Sequence, residues 1–214
     1  MEQHVSDTYV HILKNELIVA LGCTEPIAIA YAGALARKVL GTVPQRVNVA
    51  CSGNIVKNVK GVTVPNSGGL RGIKVAALLG IAGGDAQKEL AVLESVTDKA
   101  REEARRLLEA GVCTTSLVEG EENLAVTVTA EACGHTALVE IRGTHTHVAR
   151  IEKDGAVLQS GAPEGGVQKA APDKALLNVR DILTFAETAD LSEIKPLLLR
   201  QIECIPARAT RASR

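Results

Sequence analysis

The apolar pattern of the chain changes its period partway along, and this change constrains the fold more than any other feature. Apolar and polar side chains alternate in "NLAVTVTAEAC", "HTALVEIRG" and "THTHVARIEKDGAVLQ", within residues 123–160. Such alternation is typical of half-buried strands, and "KDG" predicts a hairpin turn between two of them. We therefore expect three or four antiparallel strands in this segment.

Helical spacing dominates on both sides of these strands. It predicts helices over 5–20, 26–40, 73–84, 97–111, 173–186 and 190–203. A buried strand, "RVNVACS", and a Gly-rich loop, "GNIVKNVKGVTVPNSGGLRG", separate the second of these helices from the third. Because the strands lie between helical blocks without regular βα alternation, the pattern predicts an α+β fold.

The same pattern predicts four parts of the chain. They are N-terminal helices over 1–42, an α+β domain over 43–165, the start of a helical domain over 166–204, and an atypical tail over 205–214. A Gly-rich loop, "SGAPEGGVQKAAP", joins the second part to the third. We expect the last two helices to expose an apolar face for docking, which would comprise Leu176, Leu177, Ile182, Leu183, Ile194, Leu197 and Leu198.

Composition excludes several classes of function. The 24 basic and 25 acidic residues nearly balance and the chain has two Tyr, one Phe and no Trp, which argues against nucleic-acid binding. The longest apolar runs are about ten residues, well below the roughly 18 that a membrane span needs. The N-terminus is polar and acidic, unlike a signal peptide, so we expect a cytoplasmic protein. Five cysteines without a C-x-x-C pair argue against a disulfide framework or a zinc ribbon.

Cys23 stands at a break between two apolar runs, in "LGCTEPIAIA". Pro26 suits the first turn of a helix, and Thr24 or Glu25 is the expected cap. A cysteine just before a helix N-terminus is expected to have a lowered pKa, and its thiolate would serve either a nucleophile or a metal ligand. A buried filler, a nucleophile and a metal ligand all remain open for Cys23.

The Gly-rich segment 51–72 is a candidate anion site. Turns such as those at Ser52, Gly53 and Asn54 and at Asn66, Ser67 and Gly68 expose backbone N–H groups, which bind carboxylates or phosphates. Lys57, Lys60 and Arg71 would add positive charge. The segment matches neither a P-loop nor a dinucleotide fingerprint, and an ordinary surface loop is equally consistent with it.

Two histidines lie two residues apart in "THTHV". On a strand, His145 and His147 would project from the same face, where they could chelate a metal or one of them could act as an acid or base. Ordinary polar residues on a strand face explain the pair equally well.

Three stretches together resemble the L-cysteine desulfidase family, which is related to the iron–sulfur L-serine dehydratases. They are "CTEPIAIAYA", "SGNIVKNVKGVTVPNSGG" and "HTHVARIEKDG", and their order and spacing agree with the family from near residue 10 to about Cys204. The resemblance implies a lyase that converts a small amino acid, cysteine or serine, through an enamine to pyruvate and ammonia. It also implies a 4Fe-4S cluster that is held by three cysteines, with one iron left open to act on the substrate.

Particular residues acquire expected roles from this resemblance. Cys23 matches the first cluster ligand, while Ser52, Gly53, Asn54 and the loop with Asn66, Ser67 and Gly68 would hold the substrate carboxylate. Lys57 and His145 are the candidates for proton transfer. His147 departs from the family, in which we expect Asn at this position.

The resemblance also implies a longer protein, since family members are roughly twice this length and carry the other two ligands in their second half. Similarity ends after Cys204, and "IPARATRASR" lacks helical spacing, so we expect a frameshift or truncation there, with a split gene as the alternative. The leading hypothesis is the N-terminal half of an iron–sulfur lyase, whose cluster the chain would not hold by itself. Its partners would be a C-terminal half or further copies of the chain. The rival is an inactive fragment or a non-catalytic module that pairs with a separately encoded half.

Overall fold

The computed structural model describes residues 1–17, 20, 22–120, 123–161, 173–200 and 202. Its helices are α1 (Gln3–Glu16), α2 (Thr24–Leu40), α3 (Gly53–Val59), α4 (Ile73–Gly83), α5 (Asp98–Glu109) and α6 (Val179–Thr188). Its strands are β1 (Arg46–Ser52), β2 (Cys113–Val118), β3 (Ala125–Ala132), β4 (His135–Arg142), β5 (Val148–Lys153) and β6 (Ala156–Ser160). Short 3₁₀ turns lie at Ala86–Ala91 and Lys174–Leu176, and residues 195–200 are helical. The predicted α+β class is confirmed.

The six strands form one sheet, in the order β2-β1-β3-β4-β5-β6. Neighbouring strands are antiparallel except β1 and β2, which are parallel. Alternate residues of β1, β3 and β4 are buried, as the period-two pattern requires. Helices α2 and α4 cover this buried face, so the main core is aliphatic and lies between the helices and the sheet.

Helices α2 and α4 pack at unusually short range because glycines lie at their contact. A Cβ atom added to Gly33 would lie 2.6 Å from the Ala77 carbonyl oxygen. One added to Gly80 would lie 2.0 Å from the Ala30 carbonyl oxygen. This contact fixes α2, whose first turn carries the candidate site.

Several local predictions are confirmed. Strand β1 covers the predicted "RVNVACS", and α2 ends at Gly41, whose φ of 83° places it in the left-handed region that favours glycine. The β5–β6 turn at Asp154 and Gly155 has φ values of 51° and 80°, as a tight hairpin requires.

Other predictions are wrong in detail. Residues 53–59 form a helix instead of a loop, because Ile55 and Val59 are buried one helical turn apart. Strand β2 was not predicted, since most of its side chains are exposed and its sequence lacks alternation. Cys23 occupies the N-cap position of α2, whereas Thr24 and Glu25 are already helical.

The chain groups into two compact units, 20–166 and 1–19 with 167–214. The predicted division at 42/43 differs from this grouping, because α2 packs on the sheet within 20–166. The smaller unit has its own core of Tyr9, Ile12, Phe185 and Ile194. The rings of Tyr9 and Phe185 have centroids 5.4 Å apart, and the Tyr9 hydroxyl donates a hydrogen bond to the Leu176 carbonyl oxygen at 3.0 Å.

The expected apolar face of the last helices is found in part. Leu177, Ile182 and Leu183 are exposed. The expected exposure of Ile194 is wrong, because this side chain is fully buried in the small core, and Leu176 and Leu198 pack against the same core.

The loop over 162–172, Cys204 and the tail over 205–214 lie outside the described residues. Among the helices of the described part, none combines the length and the apolar character that a membrane crossing requires.

Candidate functional site

The first turn of α2 holds a cysteine and a glutamate in direct contact. The Cys23 thiol donates a hydrogen bond to the Glu25 Oε2 atom at 2.9 Å. The Thr24 hydroxyl lies 3.4 Å from the same oxygen. Because Cys23 is the N-cap residue and Glu25 is already helical, the turn itself brings the two side chains together.

Asn58 brings the short helix α3 to the same carboxylate. Its Nδ2 atom donates a hydrogen bond to the other Glu25 oxygen, Oε1, at 3.0 Å. Both oxygens of Glu25 therefore have partners, and the carboxylate is held in one orientation between α2 and α3. Sequence analysis missed Asn58, and recognising 53–59 as a helix would have been needed to find it.

The environment of Glu25 favours its ionised form. Burial by itself raises the pKa of a carboxyl group. Here the hydrogen bonds from Cys23, from the backbone N–H of Glu25 and from Asn58, together with the charge of His145, outweigh burial and lower the pKa of Glu25. The site therefore contains a stable negative charge at neutral pH.

The same environment favours the protonated thiol of Cys23, which corrects the expected lowering of its pKa. Burial raises the pKa of Cys23, and the hydrogen bond to the Glu25 carboxylate raises it further. Backbone N–H groups of Thr24 and Glu25 lower it, as a helix N-terminus should, but they do not outweigh the other two causes. Cys23 is thus a thiol with a proton acceptor already in place.

His145 lies near this pair, in the turn between β4 and β5. Its charge and that of Glu25 influence each other's pKa, and burial lowers the pKa of His145. The Nε2 atom of His145 is buried and has no hydrogen-bond partner among the described residues. The lowered pKa favours the neutral imidazole, and this buried ring nitrogen is a polar group that the described residues leave unpaired.

His147 has a different environment, so the prediction of a shared strand face is wrong. Strand β4 ends at Arg142 and β5 begins at Val148, which leaves both histidines in the connecting turn. The Nδ1 atom of His147 lies 3.0 Å from the Arg142 carbonyl oxygen. The two imidazoles consequently do not form a strand-based metal pair.

The predicted substrate-binding residues at the end of β1 have local partners. The Ser52 hydroxyl donates to the Asn123 carbonyl oxygen at 3.0 Å and accepts from the Ala125 N–H at 3.2 Å, which ties β1 to β3. Gly53 and Asn54 are exposed in the first turn of α3. Lys57 is also exposed, and no hydrogen bond or ion pair joins it to another described residue.

The loop with the other predicted substrate-binding residues holds itself together. Asn66 Nδ2 donates to the Leu93 carbonyl oxygen at 2.7 Å, and the Ser67 hydroxyl donates to the Leu70 carbonyl oxygen at 3.0 Å. Gly68, with φ of 74°, is exposed in the same turn.

This loop lies beside the candidate site. A Cβ atom added to Gly22 would lie 2.8 Å from Cγ of Pro65. The structure therefore brings the segment that starts at Pro65 next to the residue before Cys23.

The other described cysteines are separate from this site. Cys51 and Cys113 are buried in the main core, and burial raises their pKa values to about 12 and about 11. Cys133 is exposed in the β3–β4 turn. Among the described residues, no group of three or more His, Cys, Asp or Glu side chains is placed to hold a metal ion.

The chain is similar to several curated bacterial proteins that are named UPF0597 proteins. One from Lachnoclostridium phytofermentans is 47% identical over 194 residues, which cover 91% of this chain and 46% of that protein. One from Treponema denticola is 38% identical over 95% of this chain and 47% of its own length, and one from Finegoldia magna is 42% identical over 91% and 46%. No family model matches the chain.

The chain thus spans about half the length of the curated relatives that it matches. The names of these relatives state no activity, substrate or cofactor. The comparisons therefore support similarity to UPF0597 proteins, and they do not support the finer resemblance to L-cysteine desulfidase.

Proposed function

We propose that this chain forms one part of a lyase site for a small amino acid, cysteine or serine. The observation that supports this proposal is that four polar side chains meet at the start of α2, namely Cys23, Glu25, Asn58 and His145. The main core around these residues is aliphatic, and buried polar groups cost free energy unless they are paired or used. The free Nε2 atom of His145 is the group in this set that a ligand would complete.

The reaction is the elimination of the β-substituent. A base takes the Cα proton, the bond from Cβ to sulfur or oxygen breaks, and sulfide or water leaves with a proton. The resulting enamine reacts with water to give pyruvate and ammonia, so L-cysteine and one water yield pyruvate, ammonia and hydrogen sulfide. His145 and Lys57 are the candidates for moving the proton, and the buried Nε2 atom favours His145.

The substrate carboxylate would meet backbone N–H groups instead of the Ser52 and Ser67 hydroxyls, because both hydroxyls already have protein partners. Gly53 and Asn54 are exposed and lie on the helix that also carries Asn58. The loop with Asn66 and Gly68 lies within the segment that follows Pro65. These two segments are the proposed walls of the carboxylate site.

A 4Fe-4S cluster fits the described residues only in part. Iron–sulfur ligation requires thiolates. Cys23 is the one described cysteine in the polar site, and Glu25 is in place to accept its proton. Cys51 and Cys113 lie inside the core, and the described part of the chain has no three-residue metal cluster. We therefore propose Cys23 as a single ligand of a cluster whose other ligands come from outside the described residues.

The proposed partner is a polypeptide equivalent to the part of the relatives that this chain does not match. The exposed apolar residues Val179, Ile182 and Leu183 on α6 favour such pairing, and they also favour a second candidate function. In that second candidate the chain is a non-catalytic module that binds the complementary polypeptide without contributing to chemistry.

Complementation distinguishes these two candidates. The chain is combined anaerobically with the unmatched part of the Lachnoclostridium phytofermentans relative, and iron and sulfide are supplied. We expect release of pyruvate and ammonia from L-cysteine or L-serine, lost in Cys23→Ser and retained in the matched variant Cys133→Ser. Binding of the two polypeptides without any product, or equal activity in Cys23→Ser, would contradict the lyase proposal and favour the module.

A further inference from the structure

A cleft with apolar and polar lining lies away from the Cys23 site, between the ends of α2 and α4 and the start of α5. Its volume is about 410 Å³, within the usual range of small-molecule sites. Apolar side chains of Val43, Ile81 and Leu107 form one part of its lining. Arg37, Ser95, Thr97, Lys99 and Glu103 supply the polar groups of the lining.

Arg37 is the unusual member of this lining. Its Nε atom is buried and has no hydrogen-bond partner among the described residues, and no carboxylate there forms an ion pair with the guanidinium. A guanidinium stays charged at all ordinary pH values, and a buried N–H without a partner costs free energy. Arg37 therefore lines the cleft with a charged side chain, one buried donor of which has no partner among the described residues.

The charge balance of the cleft favours an anion. Glu103 is the acidic residue of the lining, and it is already paired with Arg106 at 2.7 Å. Arg37 and Lys99 have no such partner in the described part of the chain. Positive charge in the cleft is thus in excess of the negative charge that is free to neutralise it.

The floor of the cleft is preformed. A Cβ atom added to Gly83 would lie 2.4 Å from Cβ of Ala100, so α4 and α5 meet there without space between them. Thr97 caps α5 by accepting a hydrogen bond from the Ala100 N–H at 3.3 Å, which fixes the same corner. Ile81 and Leu107 would contact an apolar body, and Arg37 would bind a charged head.

We propose that this cleft binds a small aliphatic carboxylate, whose carboxylate meets the Arg37 guanidinium and whose hydrocarbon part lies against Ile81 and Leu107. Arginine suits this task because its planar fork matches a carboxylate in a bidentate way. The proposal is independent of the lyase site, since it uses none of the residues near Cys23.

The test is an NMR titration of the isotope-labelled full chain with isovalerate, with its neutral amide and with acetate. We expect isovalerate to bind roughly tenfold or more tightly than the amide, which lacks the charge, and than acetate, which lacks most of the hydrocarbon. Equal binding of the acid and the amide, equal binding of isovalerate and acetate, or no saturable binding of isovalerate would each overturn the proposal.

Two variants locate the site. Arg37→Gln should weaken isovalerate binding about tenfold or more, whereas Lys38→Gln, the matched loss of charge at the exposed neighbour on α2, should leave it unchanged. Equal effects of the two variants would show a general charge effect and contradict the site. If Arg37→Gln fails to fold by circular dichroism, the comparison of acid with amide on the unaltered chain still decides the matter.

Discussion

Replacing Gly80 by alanine tests the close packing that holds α2, and with it the start of the candidate site. The added Cβ atom would lie 2.0 Å from the Ala30 carbonyl oxygen and 2.7 Å from its carbonyl carbon. Both partners are backbone atoms in the middle of a buried helix, so the helices themselves must separate. Overpacking of a core costs about 1–3 kcal/mol, and backbone contacts this short place Gly80→Ala at the upper end.

A smaller effect opposes this cost. Alanine is a better helix former than glycine by about 1 kcal/mol, so the net loss in the free energy of unfolding is about 2 kcal/mol. Gly53 supplies the matched control, since nothing lies within 4 Å of its added Cβ atom and it also lies in a helix. We expect Gly53→Ala to leave stability unchanged or slightly raised.

Urea unfolding followed by circular dichroism measures both variants. The Gly80→Ala midpoint should fall with an unchanged slope, while the Gly53→Ala midpoint should not fall. If Gly80→Ala unfolds at the same urea concentration as Gly53→Ala, the described contact between α2 and α4 is wrong, and so is the placement of Glu25 that depends on it.

Three further outcomes follow from the described contacts. Alkylation mapped by mass spectrometry should label exposed Cys133 first and spare Cys51 and Cys113 in the folded chain, because burial blocks access and raises their pKa values to about 12 and about 11; equal labelling of all three would contradict the core. Tyr9→Phe should lower the stability of the smaller unit by about 1 kcal/mol, since the hydroxyl bonded to Leu176 is lost, and amide hydrogen exchange near Leu176 would reveal it. The hydrogen bonds from the Thr136 N–H and from His135 lower the pKa of Asp154 below its ordinary value of 3.8. The stability that Asp154 adds relative to the variant Asp154→Asn should therefore be present above about pH 4 and be lost as the pH falls through the pKa of the folded state. A stability difference between the two proteins that persists at lower pH would refute this cause.

Sequence predicted the elements whose burial pattern is regular. Alternating valines predicted β1 and the core face of β3. The apolar stripe with Ala100, Ala104 and Leu107 predicted α5. Strand β2 was missed because the sheet edge leaves Thr114, Thr115, Ser116 and Leu117 exposed, so that no alternation marks the strand. Helix α3 was missed because its start, Gly53 and Asn54, is also the composition of a turn.

In the candidate site too, contacts within one helical turn could be predicted from the sequence, whereas contacts between distant segments could not. The contact between Cys23 and Glu25 is local to one helical turn and follows from the break before Pro26. The contact of Asn58 with Glu25 joins residues 33 positions apart, and the approach of His145 depends on the packing of the β4–β5 turn, so neither was visible in a local pattern. The direction of the Cys23 pKa also depended on burial and on the hydrogen bond to Glu25, which together outweigh the backbone N–H groups of the helix N-terminus.

Our central proposal is that Cys23 serves a metal-dependent site at the start of α2. The most direct measurement is anaerobic reconstitution with iron and sulfide of the chain combined with the unmatched part of the Lachnoclostridium phytofermentans relative, followed by visible absorption and iron analysis. We expect an iron–sulfur charge-transfer band that is retained in Cys133→Ser and lost in Cys23→Ser. A band of equal intensity and equal bound iron in Cys23→Ser, or no bound iron in the unaltered pair, would contradict the proposal.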